Sequence, residues 1–299
     1  MSARLTLCVA FITALTMCWG VEAQQPGDGA VPARIEDGHR EVPRDRYIRV
    51  PPEQRVTSPA ARPVRNGYVS VQVNVDQFGN NIVGDAANEP SIAIDPTNPN
   101  RMVIGWRQFD TIQSDFRQAG WAYSHDGGQT WTFPGVVDAG VFRSDPVLDS
   151  DSSGNFYFNS LTTDWSNYWC HVFKSVDGGV SWDAGTYAYG GDKQWMVIDR
   201  TGGVSDGNIY ANWTNYYSVC YPGHFTRSYD GGQTYLDCTS VPNNPYWGTL
   251  AVGPDGELYV CGDGFVVARS SNIKYQGQTP TWDFSKTCLL YTSPSPRDS

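Results

Sequence analysis

Carboxylates, arginines and aromatics recur at comparable places along this chain. Glu89, Asp145 and Asp192 stand at or just before the start of short apolar segments, where a carboxylate can transfer a proton or hold a hydroxyl. They are the candidates for catalytic work. Arg107, Arg117 and Arg143 carry planar forks suited to a carboxylate ligand. Trp165, Tyr216 and Trp247 offer aromatic faces on which a sugar ring can stack. These six are the candidate ligand-binding residues. No metal and no cofactor are expected. Asp149-Ser150-Asp151-Ser152-Ser153-Gly154 resembles the start of a calcium loop, but Ser160 stands where a bidentate Glu is required, so a plain turn is the reading. Cys170, Cys220, Cys238 and Cys261 match no zinc spacing. Cys220 and Cys238 flank one repeated turn, so they either bridge neighbouring strands or stay as buried thiols.

The elements that must position these residues are repeats. Ser124-His125-Asp126-Gly127-Gly128-Gln129-Thr130-Trp131, Ser175-Val176-Asp177-Gly178-Gly179-Val180-Ser181-Trp182 and Ser228-Tyr229-Asp230-Gly231-Gly232-Gln233-Thr234-Tyr235 align without gaps. A degraded fourth copy runs from Ser271-Asn272 to Thr281-Trp282. Asp-Gly-Gly makes a tight hairpin turn, the Asp accepts amide protons across it, and Ser or Thr hydroxyls tie the flanks. Ser124, Asp126, Gly128, Trp131, Ser175, Asp177, Gly179, Trp182, Ser228, Asp230, Gly232 and Tyr235 are therefore structural. Between the turns lies a second repeat of paired strands. It begins at Glu89, Asp145, Lys193 and Trp247, and its second strands are Met102–Trp106, Phe156–Leu161, Asn208–Trp213 and Glu257–Cys261. A unit of four antiparallel strands about every fifty residues predicts an all-β, β-propeller fold of four-stranded blades. Four blades are expected of a ring of six or seven. Strand direction then places the Asp-Gly-Gly turns on one face and the candidate site residues on the other. Tyr68–Val75 reads as an extra strand ahead of blade one that could close the ring against the last blade.

The bulk composition agrees. Aromatic residues reach 13%, with 11 Trp and 17 Tyr, while lysine occurs at only four positions. That bias favours short strands and turns over helices. Residues 66–287 hold 11 Lys and Arg against 23 acids, which argues against a nucleic-acid partner. Residues 1–23 read as a signal peptide, with Arg4, an apolar run from Leu5 to Trp19, and cleavage before Gln24. The run is too short to span a bilayer, and a lipoprotein signal at Cys18 is disfavoured by the bulky Met17 before it. A secreted or periplasmic protein without a membrane span is expected. Residues 24–66, rich in Pro and Arg, read as a disordered linker. Residues 288–299 resemble the translation of a transposon-end adapter used in DNA library preparation. They are read as a non-native tail on a truncated propeller spanning 67–287. Asn212-Trp213-Thr214 is a glycosylation sequon inside an expected strand, where it carries little meaning.

The motif S-x-D-x-G-x-[TS]-[WY] is the Asp box, or BNR repeat, and over residues 66–287 the chain resembles the sialidase superfamily. That resemblance implies an exo-glycosidase acting on extracellular glycans. In active members three arginines hold the sugar carboxylate, a Tyr assisted by Glu attacks, and an Asp serves as acid and base. The first of those arginines sits in a Phe/Tyr-Arg-Ile-Pro motif that this chain lacks, so Arg107, Arg117 and Arg143 are the nearest substitutes. The nucleophile of such members lies late in the chain and has no counterpart here. A non-catalytic propeller that binds glycans or proteins is the alternative, and a polysaccharide lyase a distant third.

Overall fold

The computed structural model describes residues 42–287. The signal-peptide and tail readings, and the linker as far as residue 41, lie outside the described residues.

The first repeat opens with β5 (Ala86–Ile94), β6 (Met102–Phe109), β7 (Gln118–Ser124) and β8 (Thr132–Val136), four antiparallel strands joined in sequence order. The second is β9 (Ser144–Ser150), β10 (Phe156–Thr163), β11 (Tyr168–Ser175) and β12 (Thr186–Tyr187). The third has three regular strands, β13 (Trp195–Ile198), β14 (Ile209–Asn212) and β15 (Phe225–Ser228). Its outer segment pairs only locally, where Thr239 and Phe225 exchange amide hydrogen bonds. The fourth is β16 (Thr249–Val252), β17 (Leu258–Gly262), β18 (Val266–Ser270) and β19 (Phe284–Thr287). Successive sheets meet through their first strands: β5 against β9, β9 against β13, and β13 against β16. First strands lining a common axis, with later strands fanning outward, make each sheet a propeller blade. The fold is an all-β propeller. Among the described residues the only helices are single 3-10 turns at Pro52–Gln54 and Asp263–Phe265, and no helix is long and apolar enough to cross a membrane.

The core lies between blades, and strand alternation explains it. Successive side chains of a strand point to opposite faces, so β10 feeds two clusters. Phe156 and Phe158 join Val103, Trp121 and Leu148 between blades one and two. Tyr157 joins Val147, Met196, Ile198 and Ile209 between blades two and three. Tyr210, Phe225, Leu250, Leu258 and Val260 fill the next gap. The closing aromatics of the second and third turns enter the same gaps. Trp182 packs edge-on against Trp121 and Phe158, at centroid distances of 6.5 and 5.8 Å, and Tyr235 is buried in the second cluster.

The three repeated turns are built alike. Asp126 accepts the Ser124 hydroxyl at 2.8 Å, the Thr130 amide at 2.9 Å and the Thr130 hydroxyl at 2.6 Å. Asp177 takes the corresponding bonds from Ser175 and Ser181, and Asp230 from Ser228 and Thr234. In the degraded copy Asn272 accepts the Thr281 amide at 2.8 Å, so an amide oxygen replaces the carboxylate. Gly179 shows why glycine is needed. Its φ is +87°, and a Cβ there would run into the Val103 side chain of the preceding blade.

These bonds set an acid limit on the fold. Hydrogen bonds from Thr130 hold Asp126 down at about 2, below its ordinary 3.8. Asp177 and Asp230 are also lowered: burial pushes each up, but hydrogen bonds from Ser181 and Thr234 pull further down. A carboxylate depressed in the fold stabilises fully above its unfolded pKa, and that contribution is lost as pH falls through the folded value. Stability should therefore fall between about pH 4 and pH 2. Asp126→Asn, followed by thermal melts across that range, should flatten the slope; an unchanged slope would contradict the assignment.

Cys220 and Cys238 are disulfide-bonded across the third repeated turn, while Cys170 is a buried free thiol. Closing a loop of sequence separation 18 stabilises by about 3 kcal/mol in the chain-entropy account. Reduction should lower the urea midpoint by the equivalent of that amount. Cys220→Ser/Cys238→Ser should be insensitive to the reductant.

From residue 42 onward the stretch expected as linker lies along blade one. The amides of Arg44 and Asp45 donate to Asp115, and β1 (Val56–Pro59) pairs with β4 (Asn80–Val83). The expected strand Tyr68–Val75 is also different. Only β3 (Tyr68–Val69) forms there, in a hairpin with β2 (Val64–Arg65). Polar side chains divert the rest: Gln72 donates to Asn81 at 2.6 Å, and Val75 bridges to Asn81.

Candidate functional site

The four first strands enter the axis in one backbone pose. Glu89, Asp145, Lys193 and Trp247 each stand two residues before a paired residue of their blade's inner strand, Ser91, Val147, Trp195 and Thr249; Glu89 and Asp145 sit in register shifts, after the paired Asn88 and Ser144. Their φ values are +49°, +47°, +54° and +53°. Each costs about 1–3 kcal/mol for a residue that is not glycine. In this pose Glu89, Asp145 and Lys193 meet at one groove, while Trp247 lines another beside blade four.

Three of them form a charged chain there. Glu89 Oε1 lies 2.8 Å from Arg107 Nη2 and 3.9 Å from Lys193 Nζ. Lys193 Nζ lies 3.7 Å from Asp145 Oδ2, which also accepts the Lys193 amide at 3.1 Å. Asp145 Oδ1 accepts the Ser144 hydroxyl at 2.9 Å, and Arg117 Nε donates to the same hydroxyl at 3.2 Å. Gln194 donates to the Asp145 carbonyl. Glu89 is 39% exposed and Asp145 only 5%, so Glu89 is the carboxylate that meets solvent and Asp145 the one that anchors. An open groove of about 360 Å³ runs between them, lined also by Pro90, Pro146 and the half-exposed Trp195. The arrangement can bind a polar or anionic group through Arg107 and Lys193, stack a ring on Trp195, and exchange a proton at Glu89.

The other expected site residues have different placements. Arg143 is buried in the wall between blades one and two, where Nη2 donates to Asp138 at 2.8 Å and Nη1 to His171 Nδ1 at 3.1 Å. Burial, and then the Arg143 charge, lower the His171 pKa to about 4, so the imidazole is neutral and able to accept. Arg117 is buried over the Phe142 ring. Asp192 is buried, with its carbonyl accepting the Thr214 amide at 2.9 Å. The Tyr216 ring packs on Tyr246 at 5.7 Å. Trp165 is exposed at the tip of the β10–β11 hairpin, and Trp247 is exposed beside Phe265 at the end of blade four. Lys193 and Trp195 were not among the expected site residues. The signal that finds them is register: Lys193, not Asp192, aligns with Glu89 and Asp145.

Two secondary motifs close on themselves. Asp151 accepts the Ser153 and Asn155 amides, the Asn155 side chain and the Tyr157 hydroxyl, so its oxygens serve the turn. Asn212 is buried and donates to the Pro245 carbonyl, which leaves its sequon shielded.

No family model and no curated protein matches this sequence. Solved structures do match in shape. A protein of unknown function from Dyadobacter fermentans DSM 18053 aligns with TM-score 0.46 and 19% identity, over 67% of this chain and 72% of that one. The Hadza microbial sialidase Hz136 aligns with TM-score 0.44 and 13% identity, over 68% of this chain and 46% of its own. A leech intramolecular trans-sialidase, complexed with 2,7-anhydro-Neu5Ac, aligns with TM-score 0.38 and 16% identity, over 57% and 26%. The match thus spans less than half of either sialidase.

Proposed function

We propose that the axial groove binds the terminal sugar of an extracellular glycan and that the protein is a secreted, sialidase-like exo-glycosidase. One observation carries this reading. Glu89, Arg107, Asp145 and Lys193, from three blades, converge at the mouth of the axis beside Trp195. Arg107 and Lys193 suit a sugar carboxylate, Trp195 suits a ring face, and Glu89, held ionised by these two cations, is the solvent-facing carboxylate that can accept a proton as a general base. The alternative, a propeller that binds glycans without cleaving them, draws on the burial of Arg143 and Arg117. Both lie within walls rather than at the groove, which leaves Arg107 as the one arginine of the three placed beside it.

The test is hydrolysis of a fluorogenic α-sialoside and of a panel of neutral aryl glycosides by the whole chain. Release of the fluorophore from the sialoside supports the full reading. Release from a neutral glycoside alone keeps the glycosidase and rejects the sialic acid preference. Glycan-array binding without hydrolysis favours the alternative, and neither binding nor hydrolysis rejects both.

A further inference from the structure

A second concave site lies on the other face of blade one and goes beyond the axial reading. Arg107 and Gln108 are neighbours on β6, so their side chains point to opposite faces. Arg107 reaches Glu89 at the axis, while Gln108 accepts the Trp106 indole at 2.6 Å and lines a cleft of about 560 Å³. The residue 47–57 arm forms one wall of this cleft, the Asp76–Asn80 turn its lip, and Phe133 to Val136 the opposite side. Pockets of about 300–1,000 Å³ hold small organic ligands.

Its polar groups are fixed by one another. Asp110 accepts the Tyr47 hydroxyl at 3.2 Å and lies 3.5 Å from Arg55. Gln118 is buried and accepts the Gly140 amide at 2.6 Å. The aromatic surfaces are fixed too. Phe133 packs on Trp106 at 5.1 Å. Phe78, 79% exposed, sits in a turn where Asp76 accepts both its amide and that of Asn80. A lone exposed Phe would need no explanation. Here it edges a cavity that also presents Tyr47 and Phe133, with acceptors and donors between them. Arg55 lies beside the Asp110 carboxylate, and Asp76 on the lip accepts the Phe78 and Asn80 amides and the Asn80 side chain, so its oxygens serve the turn. Flat apolar faces interleaved with oriented polar groups match a neutral saccharide, whose rings have apolar C–H faces and hydroxyl rims.

We propose that this cleft is a binding site for a neutral saccharide of one or two rings, separate from the axial groove. The test is saturation-transfer NMR on the whole chain with cellobiose, lactose and maltose at millimolar concentration. At least one should show saturable binding. Phe78→Leu should weaken it at least about tenfold, and Phe78→Trp should retain it. Asp110→Asn should weaken it as well, whereas Glu89→Gln at the axis should change it less than twofold. Three results would each overturn the proposal: no transfer from any of the three sugars, binding indifferent to both Phe78→Leu and Asp110→Asn, or binding abolished by Glu89→Gln. Binding of tetramethylammonium in place of the sugars would reassign the cleft to cations and overturn it equally. Because Phe78 projects into solvent, its variants should keep the parent melting temperature.

Discussion

Phe158→Ala should destabilise the protein by about 3–5 kcal/mol, a large share of the ~5–15 kcal/mol that holds an ordinary domain together. Phe158 has no exposed surface and is the third residue of β10. It meets Trp182 edge-on, and Gly105 of blade one comes so close that an added Cβ would lie 2.9 Å from its ring. Truncation removes one of the large rings packed between blades one and two and leaves a cavity that the stiff strands of both cannot collapse into. The check is a urea titration in which the midpoint falls while the slope stays constant. Val176→Ala is the control. That side chain is 76% exposed in a repeated turn, and its loss should shift stability by less than about 0.5 kcal/mol. If the two variants unfold alike, blade-to-blade burial is not the main source of stability.

Glu89→Gln should lower kcat on any glycoside the protein cleaves by about 10²- to 10⁴-fold, the usual contribution of a positioned general base. The amide keeps the shape and a hydrogen-bonding oxygen toward Arg107, and Glu89 is partly exposed, so the fold should be unaffected. KM should change far less than kcat, because the lost proton acceptor matters at the transition state and not in ground-state binding. Asp145→Asn should differ. Asp145 is buried and holds the Lys193 amide and the Ser144 hydroxyl, so its loss should reduce stability as well as turnover. If Glu89→Gln raises KM alone, Glu89 orients sugar and transfers no proton. The glycan-binding alternative would then gain.

The sequence made much of the frame legible, for a physical reason. The repeated turns use short-range chemistry, in which an Asp, two hydroxyls and two glycines within eight residues satisfy one another. Such a signal needs no tertiary context. The inner strands were plain where blades cover both sides, as in β9, whose residues are buried apart from Asp149; β5 carries the same pattern with Ile92 and Ile94 about half exposed. The outer strands were not. β12 is two residues long, and blade three has no regular fourth strand, where Asn243 and Asn244 take positive φ amid prolines 242 and 245. Outer strands face solvent on one side, so their sequence is weakly constrained. Residues 42–66 illustrate a second limit. Their attachment depends on contacts such as Asp115 with Arg44, 71 positions apart, and composition carries no trace of them. At the site, Glu89, Arg107 and Asp145 were recognisable by type and position. Arg143 has the same chemistry but the opposite facing, and burial is decided by strand alternation around a bulge near Asn159 rather than by residue type. Asp192 has the expected chemistry, but register sets the neighbouring Lys193 in the position of Glu89 and Asp145.

The left-handed entry shared by Glu89, Asp145, Lys193 and Trp247 separates the socket from what fills it. The backbone bend comes from sheet geometry, and four unrelated side chains (two acids, a base and an indole) already tolerate it. A lineage, or an engineer, could therefore exchange these occupants one blade at a time without rebuilding any strand. Ligand preference at the mouth should drift much faster than architecture, and a handful of substitutions there should retune what the molecule recognises.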